Sequence, residues 1–353
     1  MRKKYLLFAP LPYCYAILRP VQEEILRRGD ECAWYLENGK NLLKPGEKLL
    51  GSIREAIDYD PIACITPAIY LPDYLPGVKV LVFHGYPITK RPNHPESQFG
   101  IRDWFDIYCT QGRSGTPVFE EKARKLGFFK VYETGWTKAD LFYRLRQEQR
   151  PAADRPTIVY TSTFTHGITS TDVLFDEIER MVKSRRWNWL FTLHPKLDAA
   201  TLERYRRLAE ENENAEYYDG GDVPEFIARA DAMLSDSSSI VTEFMLLDRP
   251  VVTYRNTNPG SHLIDVAEPA EVEPALERAL QRPEKLMEEI RRHTAYHEAY
   301  LDGKASGRVL DAIDDFIANG HCELRRRKPL NLLRKIKLRR RTGYPLLRGL
   351  FKR

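Results

Sequence analysis

The sequence predicts an α/β protein built from two doubly wound domains. Three observations carry this reading. Short apolar runs alternate with helical patterns along most of the chain, the alternation pauses once at a polar stretch near residue 150 and then resumes, and 353 residues suit two domains better than one. With 42% hydrophobic and 30% charged residues, the chain can bury sizeable cores.

The elements follow in order. Leu6 to Pro10 reads as a buried strand. The Met1-Arg-Lys-Lys start imitates a signal peptide, but Pro10 and Pro12 break the apolar run and no small-residue cleavage site follows. Pro20 to Arg28 reads as a helix closed by Gly29, and Glu31 to Leu36 as the next strand, an order that implies parallel pairing through right-handed crossovers. Strands are expected at Ile62 to Thr66, Val78 to Phe83, Ile107 to Gln111 and Lys130 to Glu133. The polar stretch Arg144 to Pro156 reads as a linker. Beyond it come a strand from Thr157 to Thr161, a helix from Asp172 to Lys183 and a strand from Trp189 to Leu193. A helix from Leu202 to Glu210, a strand from Ala215 to Tyr218 and a helix from Val223 to Arg229 lead to the segment Asp231 to Tyr254. Pro283 to Ile317 reads as closing helices. The expected domains are 1–150 and 151–320, followed by a basic tail at 321–353.

The segment Asp231 to Tyr254 is the most informative. An apolar strand runs into Asp236-Ser237-Ser238-Ser239, then a short helix, then a second apolar strand. The serines therefore stand where helix N–H groups lack internal partners, a place that caps a helix or holds a phosphate.

Charge is unevenly placed. From Leu324 onward there are 13 Lys and Arg and no acidic residue; the rest of the chain holds 42 basic against 50 acidic residues, a net −8. The tail interleaves its cations with Leu332, Leu333, Ile336, Leu346, Leu347, Leu350 and Phe351. A helix can gather these on one side, which suits an anionic membrane surface at about 1 kcal/mol per cation near the bilayer. A solvated tail and an RNA-binding arm are the alternatives; nucleic acid is disfavoured because the acidic body offers no supporting basic face. No apolar run reaches the roughly 18 residues of a spanning helix. The five cysteines, Cys14, Cys32, Cys64, Cys109 and Cys322, are odd in number and widely spaced, which points to reduced thiols and a cytoplasmic setting.

Ligands of open α/β sheets gather at the carboxyl ends of the strands. There the chain places His84-Gly85-Tyr86-Pro87, Thr161-Ser162-Thr163, His194-Pro195-Lys196 and the Asp236 to Ser239 run. His84, His194 and Asp236 lack a compact metal-ligand spacing. The sequence also lacks a Walker-type loop, a Gly-x-Gly-x-x-Gly and a Gly-x-Ser-x-Gly elbow.

Taken in order, His84-Gly85, Thr134-Gly135-Trp-Thr-Lys138-Ala-Asp140, Tyr160 to Phe164, Leu193-His-Pro195, Leu234 to Ser239 with Glu243, and Arg249-Pro250-Val-Val-Thr-Tyr254 resemble the CDP-glycerol glycerophosphotransferases of teichoic-acid assembly. The resemblance implies two facing Rossmann-like domains, the GT-B arrangement, at the inner face of the cell membrane. It further implies transfer of glycerol phosphate from a CDP-activated donor to a hydroxyl of a lipid-linked or glycan acceptor, releasing CMP, with no tightly bound cofactor. Ser162, Thr165, Ser237 and the missing Pro after Gly135 depart from the family pattern and leave the donor open: another CDP-alcohol or a nucleotide sugar fits as well. A GT-B glycosyltransferase, a UDP-sugar 2-epimerase, which shares the Thr-Gly-x-x-x-x-Asp pattern, and a non-catalytic assembly partner remain as alternatives.

In that frame His84 is the expected base for the attacking hydroxyl, and His194, Ser238 and Ser239 hold the diphosphate. Glu243 accepts ribose hydroxyls or completes a helix cap. Thr161, Ser162, Lys196, Asp236 and Ser237 join the donor set by their strand-end positions. Lys138 and Lys90 neutralise phosphate.

Overall fold

The computed structural model describes residues 2–87, 99–101, 105–149, 153–220 and 223–349. The first half runs β1 (Lys4–Phe8), α1 (Cys14–Arg27), β2 (Glu31–Tyr35), α2 (Ile53–Asp58), β3 (Ala63–Thr66), β4 (Val78–Leu81), β5 (Ile107–Thr110), α3 (Thr116–Leu126), β6 (Lys130–Glu133) and α4 (Thr137–Gln147). The second runs β7 (Thr157–Tyr160), α5 (Phe175–Lys183), β8 (Asn188–Phe191), α6 (Ala199–Glu210), β9 (Ala215–Tyr217), α7 (Val223–Ile227), β10 (Ala232–Ser235), α8 (Ile240–Met245), β11 (Val251–Tyr254), β12 (Ile264–Val266) and α9 (Val272–Leu280). Then come α10 (Glu284–His297), α11 (Ala305–Asp315), α12 (His321–Glu323) and α13 (Leu332–Thr342). Lys90 lies outside the described residues, as do Leu350 and Phe351.

Two six-stranded sheets result, ordered β2-β1-β3-β4-β5-β6 and β12-β11-β10-β7-β8-β9. Every strand pair is parallel. Strand order reverses between β1 and β3 in the first sheet and between β7 and β10 in the second. The loops that follow these strands diverge to opposite faces, and each divergence opens a crevice at the carboxyl edge. Strands β3, β7, β10 and β11 are buried along their whole length and read as nearly continuous apolar runs, whereas the edge strands β6, β9 and β12 are mostly half-buried.

The expected helix at Pro20 begins earlier, at Cys14, and carries Pro20 inside it. A proline cue for a first helical turn was thus outweighed by burial of Cys14, Tyr15, Ile17 and Leu18 on the sheet. The linker expected from Arg144 begins as the last turn of α4.

By packing, the chain forms two compact units. Unit 1 contains residues 1–87, 96–140 and 297–353; unit 2 contains 88–95 and 141–296. Residues 297–320, expected with the second half, belong instead to unit 1. Their local pattern says helix, but only their contacts say which sheet they cover. One such contact is Asp140, whose carboxylate accepts the N–H groups of Ala305 and Ser306 at 2.8 Å each. It thereby caps α11, which lacks a side-chain cap of its own.

The basic tail is in large part folded onto unit 1. Arg339 is 1% exposed and donates to Asp73 and to the carbonyls of Leu346 and Arg348. Leu338 joins the core of the first sheet, Tyr344 stacks on Tyr74 at 4.1 Å, and Lys328 pairs with Asp106. The outward side of α13 carries Leu333, which is 85% exposed, with Lys337 and Arg340, while Arg341 turns back to pair with Glu37 at 3.3 Å. The apolar residues thus divide between the two sides of the helix instead of gathering on one. Among the described residues no helix is long and apolar enough to cross a membrane. All five cysteines are free thiols. Burial pushes those of Cys14, Cys64 and Cys109 up to about 12.

Candidate functional site

In unit 2 the strand-end residues converge at the reversal between β7 and β10. The Asp236 carboxylate, fully buried, accepts from the Ser162 hydroxyl at 2.5 Å, the Thr163 N–H at 2.9 Å, and the N–H and hydroxyl of Ser170 at 3.1 Å each. Thr161 and Ser235 share a hydroxyl contact of 2.9 Å beside it. From the β11 side, Asn256 donates to the Asp236 carbonyl and the Thr257 N–H to the Ser237 hydroxyl, each at 2.8 Å. Burial raises the Asp236 pKa, and the four donors pull it back down.

The side chains of Thr161, Ser162, Asp236 and Ser237 are therefore engaged in fastening loops together. They shape the crevice; they do not present themselves to a ligand. What the fastened loops leave toward solvent is Ser238, half-buried, and Ser239, exposed. Ser239 precedes α8 with helical dihedrals (φ −67, ψ −19) and makes no capping bond, contrary to the capping alternative. Among the described residues, no backbone carbonyl accepts from the N–H groups of Ser238, Ser239 or Ile240. Glu243 stands half-buried on the same helix.

Next to this, beyond β8, the half-buried His194 packs its ring 4.2 Å from that of Phe164, and its Nδ1 accepts the Lys196 N–H at 3.1 Å. The Lys196 ammonium lies 5.1 Å from the Phe164 ring centre. The structure thus brings His194 and Lys196 together around the exposed ring of Phe164, which closes the Tyr160 to Phe164 stretch quoted above but was given no role of its own there.

In unit 1, His84 follows β4 across Phe83, whose φ of 53° is uncommon and costly for a residue with a bulky side chain. His84 stands next to the β1/β3 reversal: its ring lies 5.6 Å from that of Tyr13, which follows β1, and the Pro67 backbone, which follows β3, also reaches it. Its edge is open to solvent, yet the surrounding protein crowds it enough that desolvation holds its pKa below the ordinary histidine value, partly opposed by Pro67. It is neutral at pH 7 and able to accept a proton.

Three side chains hold the His84 loop. Trp136 Nε1 donates to the Phe83 carbonyl at 3.3 Å, Gln111 Nε2 to the Gly85 carbonyl at 2.7 Å, and the Tyr86 hydroxyl to Glu298 at 2.8 Å. Glu298 is 2% exposed, and burial raises its pKa to about 8. Sequence reasoning missed it because it lies in the closing helical region, more than 200 residues from the loop it touches. Lys138, half-buried, places its ammonium 5.4 Å from the Trp136 ring centre. Among the described residues no group of three or more His, Cys, Asp or Glu side chains is arranged to hold a metal ion.

Residues 119–314, more than half of the chain, match the family described as UDP-N-acetylglucosamine 2-epimerase. The chain belongs to that family. The matched range includes His194, Asp236 to Glu243 and Glu298, but not His84. No curated protein matches the chain. Among solved structures, a variant of the wall teichoic acid polymerase TagF is similar with a TM-score of 0.63 at 15% identity, covering 90% of each chain. A putative UDP-N-acetylglucosamine 2-epimerase from Listeria monocytogenes has a TM-score of 0.61 at 15% identity, covering 90% of this chain and 97% of its own. The S. aureus MnaA–UDP complex has a TM-score of 0.61 at 14% identity with the same coverage. At such identities these likenesses speak for the fold, which is GT-B-like.

Proposed function

We propose that this chain binds a nucleoside-diphosphate-activated sugar at the β7/β10 crevice of unit 2 and inverts or otherwise transforms that sugar, in the manner its family's name describes. The observation that carries the reading is the division of labour at Asp236. Thr161, Ser162, Asp236 and Ser237 lock the loops, while the N–H groups of Ser238, Ser239 and Ile240 donate to no backbone carbonyl among the described residues and are open to a diphosphate. His194 and Lys196, gathered around Phe164 beyond β8, add positive charge and hydrogen-bonding groups beside them. Glu243 is placed to accept ribose hydroxyls, and the ring of Phe164 offers an apolar face.

A second reading is transfer of a polyol phosphate from a CDP-activated donor to an acceptor hydroxyl, with CMP as product. It is favoured by His84, a neutral imidazole at a sheet reversal, which is what a base for an attacking hydroxyl requires. The likeness to TagF in fold gives it further support.

One experiment separates the two. The purified protein is incubated in D2O with UDP-N-acetylglucosamine, and separately with CDP-glycerol and a membrane extract. Inversion by removal of a carbon-bound proton and return of a proton drawn from solvent leaves one deuterium on the sugar nucleotide. Transfer leaves the sugar nucleotide unlabelled and releases CMP.

We further propose that the outward side of α13 meets an anionic membrane surface, with Lys337 and Arg340 as its cations and Leu333 as its apolar contact. The chain then acts as a peripheral protein on the inner face of the cell membrane.

A further inference from the structure

We propose that Glu298 is a positioning residue for His84. The inference rests on the reading of His84 as a functional group and extends it to a residue far away in the sequence.

The loop from Phe83 to Tyr86 starts at a left-handed residue, so it does not hold its shape by local preference alone. Of its three outside restraints, two involve the same carboxyl group. Glu298 accepts from the Tyr86 hydroxyl at 2.8 Å and from the Trp136 N–H at 3.0 Å, and Trp136 in turn grips the Phe83 carbonyl. The rings of Tyr86 and Trp136 meet edge to face at 5.1 Å. Glu298 thus ties both ends of the His84 loop to one point.

The sequence makes room for this. Gly135 has φ +79°, and a Cβ there would stand 2.5 Å from Glu298 Oε1. The glycine of the Thr134-Gly135 pair is thereby explained by the carboxyl group packed against it.

Glu298 is also the restraint that can titrate. Buried, it stays protonated at neutral pH and ionises at about 8. The groups that face it are Tyr86 from the β4 loop, Asp140 from α4, and Tyr300 on its own segment. Beyond them lie His297 against the Tyr86 ring, Lys138 over Trp136, and Arg308 with Asp302 beside Tyr300. The charge of Asp140 opposes ionisation of Glu298.

The test follows the imidazole of His84 by NMR in the full-length protein, its signal assigned by its loss in His84→Gln. No substrate is needed, so the outcome does not depend on which reaction the protein catalyses. In the wild type the His84 resonance should titrate with its own depressed pKa and show a second inflection near pH 8. Glu298→Gln, which keeps the shape and stays neutral, should retain the His84 shift and lose the second inflection. Tyr86→Phe, which removes one hydroxyl and keeps the ring, should move the His84 resonance while the melting profile stays cooperative. A His84 resonance that titrates identically in wild type, Glu298→Gln and Tyr86→Phe would overturn the proposal. Loss of turnover in His84→Ala tests the function of His84 separately.

Discussion

Arg339 and Asp73, 266 residues apart in the sequence, form an ion pair of 2.5 Å in which the guanidinium is 1% exposed. Lys335 stands 3.9 Å from the same carboxylate. The end of the described chain is therefore anchored by a charge that water does not reach, and the remaining guanidinium N–H groups are satisfied by backbone carbonyls. Arg339→Ala should leave Asp73 without its main partner and cost about 3–5 kcal/mol, the scale for breaking one side of a buried pair. Limited proteolysis should then cut within residues 325–349 at protease levels that leave the wild type intact. An unchanged melting temperature and cleavage pattern would contradict this.

The membrane surface is tested on the outward side of the same helix. Lys337→Glu with Arg340→Glu should abolish cosedimentation with phosphatidylserine-containing vesicles and leave the melting temperature within the small range typical of exposed substitutions, about 0.5 kcal/mol. Wild-type binding should weaken as salt rises, since exposed charges are screened over about 10 Å at 0.1 M. Retained binding by the double variant at low salt counts against α13 as the contact.

For the nucleotide pocket, UDP or CMP should raise the melting temperature of the wild type by binding the folded state. Ser238→Ala with Ser239→Ala should lose much of that gain. Because neither hydroxyl caps α8, the unliganded variant should melt close to the wild type. A ligand-induced shift as large as that of the wild type would leave the serines without a role.

His84→Ala should keep the nucleotide-induced shift and lower transfer by roughly 10²-fold or more, the scale of general-base catalysis. Since the folded pKa of His84 lies below 6.5, the acid limb of the wild-type rate profile should fall below that pH. Near-normal turnover by the variant would exclude His84 as the base.

Glu298 also predicts how stability depends on pH. Its folded pKa of about 8 stands above the ordinary value of 4.5, so its contribution is fully present below pH 4.5 and is lost as pH rises toward 8. Relative to Glu298→Gln, the wild type should therefore lose stability across that window, by roughly 1 kcal/mol per pH unit. Denaturant titrations of both proteins at pH 5 and pH 8 check this; a constant difference would show that the carboxyl titrates normally.

The sheets were legible because buried parallel strands are short apolar runs, as at β7, expected from Thr157 to Thr161 and found from Thr157 to Tyr160; the half-buried edge strand Lys130 to Glu133 was also placed to the residue. The strand-end rule also pointed to His84, His194 and Ser238, which lie beyond strand ends in the structure. It could not separate side chains left toward solvent from those consumed in loop fastening, because Ser162 and Ser238 look alike until Asp236 is seen to accept from one of them. Glu298 and Arg339 were invisible for a different reason. Their partners lie 212 and 266 residues away, and no local period records such a pairing.

The interrupted make-up of unit 1 has a consequence in time. Residues 141–296 of unit 2 are continuous and leave the ribosome before Glu298, the α11 turn capped by Asp140, or Arg339 exists. At about 5–20 residues per second, that interval leaves the first sheet waiting for several seconds with its last covering helices unmade. The second unit can finish folding while the first is still incomplete, and the His84 loop receives its final restraint only after Glu298 has been made.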